Sequence, residues 1–125
     1  SPGDPCWPPG GISSDHYWAD FYYVAYADVG DPDTGVAWWF YFHATADEKY
    51  YTDLGNAEYG QFKLYEGLAH FYYMYYKNSE PNVGAYFFYL YHAYAYYPYL
   101  LDLGDEEGAI YWYSFFVALA FDALV

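Results

Sequence analysis

Four imidazoles, one thiol and a run of carboxylates are the groups in this chain with the chemistry to act on a substrate or hold a metal. His16, His43, His70 and His92 follow no ligand spacing, and Cys6 is alone, so neither a multi-cysteine zinc site nor an internal disulfide is available. Asp102, Asp105, Glu106 and Glu107 crowd one short segment, where a carboxylate pair would in principle serve as general acid and base. The place of the last three in the turn "GDEEG", with Asp102 just before it, favours the plainer reading, solvated charges that keep an aromatic chain soluble. No Ser-His-Asp order, glycine-rich phosphate loop or Cys-His pairing stands out. These residue types point to no enzyme and no metal site, and leave a binding protein as the expectation.

Length and charge narrow the partners. At 125 residues the chain fits one domain with one core. Its 22 tyrosines, 10 phenylalanines and 5 tryptophans lie far outside ordinary globular usage. Lysines number three, arginine is absent and the formal charge is −14, so nucleic acid and anionic membrane surfaces are expected to be repelled. Residues 83–101, the longest stretch without formal charge, approach the roughly 20 residues of a membrane span, but His92, Pro98 and many tyrosines argue against one. No charged segment followed by an apolar one opens the chain, as a secretion signal would.

The elements that must position any site read as strands. Residues 1–18 form an irregular arm, rich in proline and glycine, in which Ser14 or Asp15 is able to cap a short helical turn. From residue 19 to 125, aromatic and β-branched runs such as "DFYYVAYA", "GVAWWFYFHAT", "GAYFFYL" and "GAIYWYSF" alternate with turn-forming "GDPDTG", "TADE", "KNSEPNVG" and "GDEEG". The count is about eight strands. "AHFYYMYYKN" also reads as a helix, the final "SFFVALAFDALV" suits either period, and no fixed repeat suggests a solenoid. Eight short strands in so apolar a chain are expected to close on themselves, which gives an all-β fold, an eight-stranded antiparallel up-and-down barrel behind an irregular arm.

A family resemblance sharpens that expectation. "YLLDLGDEEGAIYWY" resembles the second sequence motif of lipocalins, with Gly104-Asp105 in place of the usual aspartate-tyrosine pair. "DFYYVAYA" resembles the first, with Phe21 at the tryptophan position and Ala25 at the alanine, and "YEGLAHF" carries the Glu66-Gly67 pair common on the fourth strand. The separations are most similar to the insect bilin-binding branch, the insecticyanins, with crustacyanins next. The resemblance implies a secreted, extracellular carrier that sequesters a linear tetrapyrrole of the biliverdin type, with a carotenoid, a retinoid or a fatty acid as alternatives. It implies a pocket built from Asn56, Tyr65, Phe87, Tyr89, His92, Tyr94, Tyr96 and Tyr113, whose hydroxyl, amide and imidazole groups would bond pyrrole or lactam groups. A rival reading is a tyrosine-rich structural or interaction protein without a ligand, whose faces associate into a homo-oligomer and show as exposed aromatic patches.

Overall fold

Asp28-Val29-Gly30-Asp31, Asp53-Leu54-Gly55-Asn56 and Asp102-Leu103-Gly104-Asp105 are variants of one tetrapeptide, recurring at multiples of about 25 residues. In the computed structural model, which describes residues 14–125, each of them ends one helix and starts the next. Five helices result: α1 (Ser14–Asp28), α2 (Pro32–Asp53), α3 (Ala57–Tyr76), α4 (Pro81–Asp102) and α5 (Glu106–Ala123). The glycines hold φ of 84°, 87° and 83°, the left-handed conformation that terminates a helix cheaply only without a Cβ. The residue after each glycine then serves twice. The backbone N–H groups of Asp31, Asn56 and Asp105 close the finished helix on the carbonyls of Tyr26, Tyr51 and Leu100, at 2.8, 2.8 and 2.9 Å. Their side chains cap the next helix by accepting from the N–H of Thr34, Tyr59 and Gly108, at 3.3, 3.2 and 2.9 Å. Proline at the first position of α2 and α4, and Glu106 and Glu107 in the first turn of α5, complete the starts.

The all-β expectation is therefore overturned. Among the described residues there is no strand, no sheet and no barrel, and the lipocalin resemblance falls with them. "GDEEG" is a helix stop followed by a helix cap, not a hairpin turn. β-Propensity failed as a guide because it reports how a side chain packs on a half-buried surface more than how a backbone prefers to bend. Here the rings pack at helical spacing instead: Trp39 with His43 (4.0 Å between centroids), Tyr72 with Tyr76 (6.4 Å) and Tyr111 with Phe115 (6.3 Å) are all i,i+4 pairs. Helix α1 begins at Ser14, inside the stretch read as an arm. Residues 1–13, and Cys6 with them, lie outside the described residues.

Each helix packs only against its neighbours in sequence, α1 on α2, α2 on α3, α3 on α4 and α4 on α5. Ring pairs such as Tyr51–Tyr59 and Phe40–His70, at opposite ends of the α2–α3 seam order, fix the antiparallel sense. The result is a layer one helix thick, with two broad faces and no enclosed centre.

The seams are lined by small residues. Among the described residues, every buried apolar residue apart from Phe71 is an alanine, and no large side chain is fully buried. Counted from the N-caps, one register position holds Gly35, Gly60, Gly84 and Ala109, all buried where a helix start crosses the end of the preceding helix. A Cβ on Gly35 would lie 2.9 Å from the Tyr23 carbonyl oxygen, and one on Gly60 2.8 Å from that of Glu48. A second position holds Ala44, Ala69, Ala93 and Ala118, and faces the following helix, as the packing of Ala44 on Gly67 shows. Two residues on, Ala46, Phe71, Ala95 and Ala120 are buried toward the preceding helix, since two helical steps turn the chain by about 200°.

Candidate functional site

That same 200° step decides the fate of the expected pocket. On a strand, His92, Tyr94 and Tyr96 share a side; on α4, His92 and Tyr96 share one face of the layer and Tyr94 lies on the other. Phe87, Tyr91 and Tyr94 line the second face, and Phe88, His92 and Tyr96 the first. Asn56 is spent on capping α3. Tyr89 packs edge-on against Phe88 at 5.4 Å, while Phe87 stacks on Tyr72 at 4.7 Å. Of the eight residues implied by the resemblance, the structure brings together Tyr65, Tyr94 and Tyr113, which with Gln61, Tyr97 and Pro98 shape an open cleft of about 240 Å³ across α3, α4 and α5. His92 and Tyr96 belong to a separate cluster. No cup encloses all eight, so the biliverdin carrier is withdrawn with the barrel that was to hold it.

On the first face, rings run transversely across four helices. Phe40 of α2 stacks on His70 of α3 at 5.0 Å, and His70 lies 5.7 Å from His92 of α4. His92 then meets Phe116 of α5 at 5.3 Å, and Tyr96 stacks on the same Phe116 at 5.4 Å. Each such pair contributes roughly 0.5–1.5 kcal/mol beyond area burial. The two imidazoles are held alike: Nδ1 of His70 lies 2.9 Å from the Glu66 carbonyl oxygen, and Nδ1 of His92 2.8 Å from that of Phe88. A carbonyl only accepts, so each Nδ1 donates, and the lone pair of the neutral ring sits on Nε2. His92 is the one buried polar residue among those described, with 9% of its surface exposed. Burial is the main reason its pKa is pushed below the usual histidine range; the Phe88 carbonyl and Glu66 act in the opposite sense, and His70 adds to the depression.

Beside this band, His43, Asp47, Lys63, Glu66 and His70 surround a cleft of about 230 Å³ between α2 and α3. Lys63 and Glu66 pair at 3.6 Å. Among the described residues no group of three or more His, Cys, Asp or Glu is arranged to hold a metal ion. Asp105 is committed to its cap, Asp102 stands exposed at the end of α4, and Glu106 and Glu107 stand exposed at the start of α5. His16 has no described side chain.

On the second face, Tyr72 and Tyr91 stack at 5.2 Å, and the Tyr91 pKa is pushed up to about 12 by burial first and by the neighbouring Tyr72, Tyr94 and Tyr65 after it. The folded state therefore holds this proton more tightly than the unfolded chain, whose tyrosines titrate near the ordinary value of about 10. Stability from this site is full below that value and is lost as pH climbs through about 12. In ring-labelled protein followed by NMR, Tyr91 is expected to stay neutral at pH 11, and a midpoint near the ordinary value would contradict the buried stack.

Comparison with protein-family models, with curated proteins and with solved structures finds no match. The site must be read from its own geometry. No described helix is long and apolar enough to cross a membrane. What the sequence reading missed was the set of small residues on the seams, and the signal for them was present: an alanine recurs at 19, 44, 69, 93 and 118, in step with the connectors.

Proposed function

We propose that this chain is a docking scaffold, a ladder of repeated helices that holds a cationic segment of another protein against its ring-lined surface. The observation that carries the reading is the combination of a layer one helix thick with large aromatic side chains left in solvent on both faces, among them Tyr23, Tyr50, Tyr75 and Tyr94. Stacked helical units present extended surfaces of this kind to polypeptides, not a closed cavity for a small molecule. The charge balance of −14 with three lysines supports a Lys- or Arg-bearing partner. Exposed ring faces add cation–π attraction, worth about 0.5–1 kcal/mol per contact at open sites.

The test is a tryptophan-fluorescence titration with a 15-residue peptide containing Lys and Arg among apolar residues, alongside a counterpart with Glu in place of the basic residues. Binding of the basic peptide with a Kd on the order of 10 μM is expected, weakening severalfold when ionic strength rises from about 0.05 to 0.5 M. A folded chain that binds both peptides equally, or neither, would overturn the reading.

A further inference from the structure

Along α5, Glu107, Tyr111, Ser114, Ala118 and Asp122 follow one another at helical spacing on a single stripe. The same register on the earlier helices is the face that receives the next helix. On α2 it holds Asp33, Phe40, Ala44 and Glu48, of which Phe40 stacks on His70, Ala44 packs on Gly67 and Glu48 approaches Gly60. On α3 it holds Phe62, Tyr65 and Tyr73, which meet Tyr96, Tyr91 and Phe88. On α4 it holds Tyr86 and Tyr97, which meet Phe121 and Tyr113. The alanine of this stripe is 3%, 0% and 0% exposed in α2, α3 and α4. In α5 its counterpart, Ala118, is exposed, with Tyr111 at 61% and Ile110 at 53% beside it.

We infer that the outer edge of α5 is a seat for one helix of a partner protein, antiparallel to α5, with a small residue opposite Ala118 and basic residues at its ends. This rests on the docking-scaffold reading and assigns it a place and a partner. The antiparallel sense and the small residue come from the internal seams, where Ala44 accepts only Gly67. The basic end has a precedent in the same register. Asp33, the equivalent of Glu107 on α2, is met by Lys77 from the end of α3 at 3.7 Å and by Asn78 at 2.7 Å. Glu107 and Asp122 stand exposed at opposite ends of the α5 stripe, and α5 itself carries no basic residue to pair with them. A second copy of this chain is the wrong occupant, because α5 against α5 in the antiparallel sense brings Glu107 of one beside Asp122 of the other.

The experiment uses the whole chain and a synthetic 20-residue amphipathic helix with Ala and Leu on one face and Lys in its first and last turns, plus an analogue with Glu in those turns. Calorimetric titration is expected to show binding of the Lys-ended helix, about tenfold weaker for Ala118→Arg and for the double variant Glu107→Gln/Asp122→Asn, and unchanged for Val29→Ala in the exposed α1–α2 connector. Both edge substitutions sit on exposed positions, and circular dichroism of each variant establishes that it is folded. Equal binding of the Glu-ended helix would overturn the inference, as would indifference to the edge variants. So would a dimer in sedimentation that Ala118→Arg dissociates, since the seat would then belong to a second copy. If the edge fails while the basic linear peptide still binds and Tyr94→Ala weakens it, the inference falls and the scaffold reading stands; if neither probe binds, both fall.

Discussion

Gly67→Ala is expected to destabilise the protein by about 2 kcal/mol, against the ordinary trend for such a change. Alanine in place of glycine inside a helix normally gains about 1 kcal/mol. At this position the new methyl group would run into the side chain of Ala44 across the α2–α3 seam, with the Ala44 Cα 3.3 Å and the Phe40 carbonyl oxygen 3.4 Å away. The neighbour cannot yield as a flexible chain would, because it is a methyl group fixed directly to the facing backbone. The two helices must separate, and overpacking of this kind costs about 1–3 kcal/mol, occasionally more. The swap Gly67→Ala/Ala44→Gly moves the same methyl to the other side of the seam and is expected to recover stability to within about 1 kcal/mol of the parent. Equilibrium urea denaturation of the three variants checks this. Stabilisation by Gly67→Ala alone would mean the seam is looser than the structure has it.

Acid is the second expected lever, and His92 is its main handle. Its ring is wedged between His70, Phe88, Tyr96 and Phe116, and its pKa is depressed by burial first. The unfolded chain, with an ordinary histidine pKa near 6.5, then binds more protons than the folded one as pH drops below that value. Stability is full above about pH 7.5 and is lost as pH falls through 6.5 toward the folded-state pKa, with a slope of at most about 1.4 kcal/mol per pH unit for one proton. Glu66 is the acid whose charge acts on the ring, and it works in the other direction. In His92→Phe, which keeps a ring in the stack, the difference in stability between pH 7.5 and 5.5 is expected to shrink; an unchanged pH profile would remove His92 from this role.

The connectors and the alanines held most of the fold in plain view, and the rings concealed it. "DVGD", "DLGN" and "DLGD" look like turn chemistry from either standpoint, since Gly with Asp or Asn serves hairpins and helix ends alike. Spacing separates the two uses, because about 20 residues between signals is a helix length and far exceeds a strand. Ala19, Ala44, Ala69 and Ala93 mark the seams, yet in each segment they sit among Tyr, Phe and Trp, whose volume and β-propensity dominate a reading by composition. The candidate site was less legible. Tyr65, Tyr94 and Tyr113 do come together, but only because α3, α4 and α5 turn them to one face, and His92 and Tyr96 lie opposite for the same reason. The register that leaves Ala118 exposed becomes meaningful only once its equivalents are seen covered.

Because each described helix touches only the helices before and after it, no contact among the described helices spans more than two consecutive units. Chain closure entropy is therefore incurred in small steps, and assembly is able to begin at any seam and spread outward, as in one-dimensional arrays. Under tension the array should come apart in the reverse manner, surrendering one unit at a time from an end and leaving the remainder intact.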